Sequence, residues 1–181
     1  MNPPRFESER LIIQPMNITD AHNLYAYRSH PDVVRFQSMM FKNESEARQF
    51  IQNHQGFDFG IPETWYQLGI YLKPEQELIG DMGVHILNEN FETVEIGYTI
   101  APAHQRNGYA FEAVHKFLDF LFTDQYTNTV IGITDSHNHA SIRLLARLKF
   151  QRTQPESLLF DFELLQDELV FTLSRTMQIF V

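Results

Sequence analysis

Cysteine is missing from the 181 residues of this chain, and with it go disulfides, cysteine nucleophiles and thiolate metal sites. Basic residues are scarce: 14 Lys and Arg stand against 23 Asp and Glu, a net charge of −9 with His neutral. Binding along a nucleic acid needs a basic face to neutralise phosphates, so a nucleic-acid partner is not expected, although a locally basic pocket stays open. No stretch reaches the roughly 18 uncharged apolar residues of a membrane span. The start, Met1-Asn2-Pro3-Pro4-Arg5-Phe6-Glu7, lacks the apolar core and small-residue cleavage site of a signal peptide. A cytoplasmic protein with no membrane partner is the expectation. Internal repeats, low-complexity tracts and Ser/Gly linkers are lacking too.

What is present is ordinary for a globular chain, with 43% apolar, 13% aromatic and 20% charged residues. A chain this long buries a sizeable core without covalent or metal staples. One domain is predicted over 6–176, with 1–5 and 177–181 as terminal extensions. Leu11-Ile12-Ile13-Gln14-Pro15 is a short β-rich run that Pro15 ends. Thr19 or Asp20 can cap a helix to about Ser29, which Pro31 closes. Asn43-Glu44-Ser45-Glu46 reads as a capping box opening a helix to about His54.

Beyond it the period changes. Thr64–Leu72, Glu77–Leu87 and Glu92–Ile100 are β-rich runs joined by turn-prone links, so a meander is predicted. Ala110, Ala113, Val114, Phe117, Leu118 and Leu121 trace one face of a helix over 110–122. Thr129–Thr134 reads as a buried strand, Ala140–Lys149 as a second amphipathic helix, and Leu158–Glu163 with Leu169–Ser174 as a closing hairpin. The fold class is therefore α+β: a central mixed, mostly antiparallel sheet with helices on both faces.

One stretch carries chemistry. In Thr99-Ile100-Ala101-Pro102-Ala103-His104-Gln105-Arg106-Asn107-Gly108-Tyr109-Ala110 a strand runs into a polar loop, and a helix opens directly after its glycine. The first N–H groups of a helix have no intrahelical partners, and its dipole adds partial positive charge there. Gly108 permits close approach and Arg106 adds a full charge, the arrangement of a phosphate or pyrophosphate site. Only one glycine is present, so the loop is neither a Walker A motif nor a dinucleotide fingerprint.

Gln105-Arg106-Asn107-Gly108-Tyr109-Ala110 resembles the (Q/R)-x-x-G-x-(G/A) acetyl-CoA loop of the GNAT N-acetyltransferases. Ser8-Glu9-Arg10-Leu11-Ile12-Ile13-Gln14-Pro15, Leu78-Ile79-Gly80-Asp81-Met82-Gly83, Glu95-Ile96-Gly97-Tyr98 and Asn138-His139-Ala140-Ser141-Ile142-Arg143-Leu144-Leu145 are similar to the RimJ/RimL-like branch. The likeness runs in order from about Phe6 to Ser174. It implies the acyl-CoA N-acyltransferase (GNAT) fold and an acetyl-CoA-dependent N-acetyltransferase, with acetyl-CoA as cosubstrate and no metal.

The resemblance implies that the pantetheine arm pairs with the backbone of Thr99, Ile100 and Ala101, while the pyrophosphate meets the N–H groups of Arg106, Asn107, Gly108, Tyr109 and Ala110. A strand N–H near Ile100 is the candidate oxyanion donor. Asn138 is a pantetheine candidate and, independently, a helix cap. Family members often carry a Tyr general acid where Leu145 stands here; Ser141 is the implied substitute, as thiolate stabiliser or water relay, or else it is an ordinary helix-surface Ser. Glu95 is the candidate base for the attacking amine, through water, or a structural carboxylate at a strand edge. The usual Gly before Phe150 is Lys149, which must accept or avoid a left-handed conformation.

Arg143, Arg147, Lys149 and Arg152 form a basic cluster, suited to the adenosine 3′-phosphate or to solvated surface charge. The eight His show no metal-ligand spacing such as HExxH. Acceptor choice is expected from 19–65 and the closing hairpin, a region rich in aromatics including Tyr25, Tyr27, Phe36, Phe41, Phe57, Phe59, Trp65 and Tyr66. The acidic chain favours a cationic acceptor, a protein N-terminal α-amine or a small cationic amine. A non-catalytic acyl-CoA sensor or interaction module on the same fold is the competing reading. Sheet edges or the terminal hairpin are candidate homodimer contacts.

Overall fold

The computed structural model describes residues 4–37, 39–56, 59–88, 91–123, 127–155, 158 and 164–178. Eight strands form one sheet in the order β1-β2-β3-β4-β5-β6-β8-β7. They are β1 (Phe6–Glu7), β2 (Leu11–Pro15), β3 (Trp65–Leu72), β4 (Glu77–Ile86), β5 (Thr93–Ile100), β6 (Thr129–Asp135), β7 (Gln151–Thr153) and β8 (Glu168–Ser174). The helices are α1 (Ala21–Arg28), α2 (Pro31–Val34), α3 (Glu44–Asn53), α4 (Tyr109–Thr123), α5 (His139–Arg147) and α6 (Arg175–Gln178).

The predicted meander is β3, β4 and β5, paired antiparallel through hairpin connections. The parallel pair in the sheet is β5 with β6, and α4 is the crossover that such a pair requires. Leu11 and Ile13 of β2 face one core, shared with Val114 and Phe117 of α4 and Leu145 of α5. Ile12 faces the other core, with Leu24 of α1 and Ala47 and Ile51 of α3. Side-chain alternation along a strand thus feeds two apolar layers, one on each sheet face.

Several predictions of local structure change in detail. Pro31 does not only close the first helix; it occupies the first turn of α2, where its missing N–H costs nothing. Asp20 stands at the N-cap of α1 but makes no cap bond there; the capping bonds lie one turn earlier, where Asn17 accepts from the Thr19 N–H and Asp20 accepts from the Asn17 N–H. Asn43 caps α3 by accepting from Glu46, but Glu46 reaches back to the Lys42 N–H, one residue before the cap. Of the expected closing hairpin, β8 forms and lies between β6 and β7. Its expected partner, Leu158–Glu163, lies apart from Leu158 outside the described residues.

Candidate active site

The parallel pairing of β5 and β6 ends at Ile96 opposite Gly132, although both strands continue. Past that point the two strands part, and β5 keeps a neighbour only in β4. The Ala101 N–H donates to Ile79 O at 2.8 Å. Main-chain polar groups alternate sides along a strand, so those of Thr99 and Ala101 turn toward β4 while those of Tyr98 and Ile100 turn toward the split. The Ile100 carbonyl accepts from the Gln105 side chain at 3.0 Å. Of the three backbone residues expected here, Ile100 is thus the one aimed into the split.

The loop that follows leads into α4. Arg106 and Gly108 both hold left-handed backbone, at φ 65 and 82, and such turns fold successive N–H groups into an anion-binding concavity. Among the described residues the main-chain N–H groups from Arg106 to Phe111 have no protein acceptor. They are the orphan donors of a helix start, joined by the dipole of a 15-residue helix. These donors, rather than any side chain, make the loop fit a pyrophosphate.

Glu112 stands in the first turn of α4 and, left free, would compete for those donors. It is engaged elsewhere. Arg10 donates to Glu112 from its own N–H at 2.9 Å and from Nε at 2.7 Å, and Ser8 Oγ donates at 2.6 Å. Burial pushes the Glu112 carboxyl up, but these bonds and the Arg10 charge outweigh it and hold it below the usual range. Arg10 also donates to Asn107 O at 3.1 Å and lies over the Tyr109 ring. Beside this clamp is a cleft of about 570 Å³, whose lining includes Arg10, Gly108, Phe111, Lys116 and Arg147. The Arg147 guanidinium lies 4.1 Å from the Phe111 ring centre. Arg147 thus joins the cleft, while Arg143 is not among its lining residues.

Two side-chain groups flank β5 from opposite faces. On the α5 side, Tyr98 and Ser141 hydroxyls are 3.0 Å apart, and the Ser141 N–H is held by the Asn138 side chain at 3.2 Å. Burial pushes the Tyr98 phenol up to about 12, against the Ser141 hydrogen bond. Leu145 is buried against Gly132 in the core, so it presents nothing to the split.

On the other face Glu95 is directly opposite His85, whose Nδ1 lies 3.2 Å from its carboxylate. Burial raises the Glu95 carboxyl; His85 opposes that and the nearby Glu168 charge adds to it. The His85 ring in turn stacks on Trp65, at 4.8 Å and 16°. Further along this face Asp81 is buried, accepting from Tyr27 Oη at 2.7 Å and Arg28 Nε at 3.1 Å.

Comparison with known proteins decides the family. A model described as an acetyltransferase (GNAT) domain matches residues 10–151, most of the chain. The chain belongs to the GNAT acetyltransferase family. It is 32% identical over 164 residues to an uncharacterised N-acetyltransferase, p20, of Bacillus licheniformis, covering 90% of this chain and 89% of that one. It is 26% identical over 156 residues to the [ribosomal protein uS5]-alanine N-acetyltransferase of Escherichia coli, covering 82% and 78%. A GNAT-family acetyltransferase of Bacillus anthracis superposes with a TM-score of 0.77 at 22% identity, over 96% and 99%. The fold is that of the GNAT enzymes, and the protein is an N-acetyltransferase.

Partners of the candidate residues escaped sequence reading. Tyr98 stood only as a motif flank, and nothing marked His85 as the partner of Glu95. One signal came close: a hairpin centred on Asn88-Glu89-Asn90 puts position 85 opposite 93, on the same side-chain face as Glu95 but two residues short of it. For Arg10 and Glu112, 102 residues apart, sequence held no such signal.

Proposed function

We propose that the protein transfers acetyl from acetyl-CoA to a primary amine by direct attack on the thioester. The observation that carries this reading is the split between β5 and β6 opening beside the unpartnered N–H groups that start α4. The donors from Arg106 to Ala110 receive the pyrophosphate, and the cleft between Arg10, Lys116 and Arg147 takes the nucleotide end. Tyr98 and Ile100 offer main-chain groups to the pantetheine arm and to the developing oxyanion. Asn138 helps indirectly, by fixing the start of α5.

An amine attacks only when neutral, whereas an α-amine has a pKa of about 7.7–8.0 and a lysine-like amine about 10.4. Glu95, raised and partnered by His85, removes that proton through water. The C–N bond forms, the C–S bond breaks, and the nitrogen's second proton passes to the departing thiolate, which accepts a hydrogen bond from Ser141, supported from behind by Tyr98. This chemistry uses no metal and no covalent enzyme intermediate.

The acceptor is cationic. Glu95 and Glu168 lie within electrostatic reach of each other, and the chain carries −9, which favours approach of a positive ligand. The likeness to an enzyme named for a protein alanine favours an N-terminal α-amine over a small polyamine. A role as a silent acyl-CoA sensor is less favoured, because a sensor has no use for the paired Glu95 and His85.

Titration calorimetry with acetyl-CoA, CoA and ATP is the direct test, followed by an amine panel with thiol detection. Binding of both CoA species without ATP, and thiol release with amines, is the expected result. Gly108→Asp places a carboxylate at the donors and strains the left-handed backbone; it should abolish CoA binding in a folded protein. Unchanged CoA affinity in that variant would overturn the loop assignment.

A further inference from the structure

The sheet face that carries Glu95 has a gap at Gly97, and we propose that the acceptor amine enters there, with Gly97 limiting its bulk. The inference rests on the transferase reading and says which amines the site takes.

Pairing across β3, β4 and β5 arranges this face in rungs, because residues directly opposite point the same way. The rungs are Trp65–His85–Glu95, Gln67–Gly83–Gly97 and Gly69–Asp81–Thr99. The third is closed by α1 and the segment after α2: Tyr27 and Arg28 cover Asp81, and Gln37 donates to Thr99 Oγ1 at 3.1 Å. The first is walled by the Trp65–His85 stack and the Glu95 carboxylate. Between them, the middle rung is nearly bare.

Its two glycines differ. A Cβ on Gly83 would come within 3.0 Å of the Trp65 ring and 3.1 Å of the Gln67 amide, so those side chains already lie over it. A Cβ on Gly97 would meet nothing within 4 Å, and Gly97 does not hold left-handed backbone. Neither packing nor backbone geometry therefore demands glycine at 97. Pairing with β6 stops one residue earlier, so the space over Gly97 joins the sheet face to the split where the thioester belongs.

The walls define the ligand. Glu95 takes the ammonium proton. Trp65, 38% exposed, offers an aromatic face to a cation. A primary ammonium on an unbranched carbon meets both. A branched carbon next to the amine would fill the gap.

Trp65 is the only tryptophan of the chain, so its fluorescence reports this site without a label. The probes are glycinamide, leucinamide and ethylamine, titrated into protein saturated with CoA and assayed separately for thiol release from acetyl-CoA. Glycinamide and ethylamine should change Trp65 fluorescence saturably and be preferred over leucinamide. Gly97→Val should abolish that response and lower kcat/KM for glycinamide by about a hundredfold, and Gly97→Ala by about tenfold, the range that single apolar groups command in a pocket. CoA affinity should be unchanged in both. Thiol release that is indifferent to Gly97→Ala and Gly97→Val would overturn the pocket and leave the transferase reading standing. A saturable Trp65 response lost in Gly97→Val, without thiol release from any amine, would uphold the pocket and overturn the transferase reading.

Discussion

Glu95 is buried enough for its carboxyl to sit above the ordinary Glu value of about 4.3, and a base works only when ionised. Activity should therefore climb with pH through that raised value, on the acid side of the amine's own titration. Glu95→Gln should remove this limb and leave only the rise that belongs to the amine; a pH–rate profile of both proteins checks it. On the opposite face, Tyr98 stays a neutral donor at physiological pH because its phenol is pushed up to about 12. Ser141→Ala should lower turnover by about 10²-fold, the lower end of proton-transfer contributions, with CoA affinity unchanged. Tyr98→Phe acts through Ser141, so adding it to Ser141→Ala should cost little more, and a double-mutant cycle reads that non-additivity. The sequence pointed to Glu95 and Ser141 as reaction groups, yet not to their partners. A side chain's chemistry is written in its own identity, whereas His85 and Tyr98 matter only through where the strands carry them.

Elements were the most legible scale. The meander, α4 and α5 fall within a residue or two of their predicted bounds, because hydrophobic period and turn chemistry are local properties. Asn138 caps α5 as expected. Lys149 does accept the left-handed conformation, at φ 69, with Phe150 N–H donating to Leu145 O and Lys149 N–H to Ala146 O. Those two bonds make a Schellman close on a residue that bears a Cβ. Lys149→Gly should accordingly stabilise the protein by about 1 kcal/mol, measured by urea unfolding, with CoA binding untouched. Short elements were missed: β1 and β7 have two and three residues, too few for any period to show.

At the scale of the molecule, the Asp81 network ties the acceptor-side helices to the central sheet. Arg28 and Asp81 are both buried and paired, Arg28 also reaches Gln37, and Gln37 continues to Thr99 on β5. Asp81→Ala leaves the Arg28 charge without its partner inside the fold, a loss of about 3–5 kcal/mol that chemical denaturation should register. Nothing in the sequence foretold this tie, since Leu78-Ile79-Gly80-Asp81 reads as one more strand. By itself the sequence determined the order of the longer elements, the two-faced sheet and the orphan donors that open α4, because each follows from periodicity, caps and turn chemistry within about a dozen residues. Tertiary structure alone decided which residues meet. Tyr98 and Ser141 are 43 apart in the chain, Arg28 and Asp81 are 53 apart, and Arg10 and Glu112 are 102 apart. Such contacts depend on strand register and on where β5 and β6 separate, which packing of the whole chain sets and no local preference encodes.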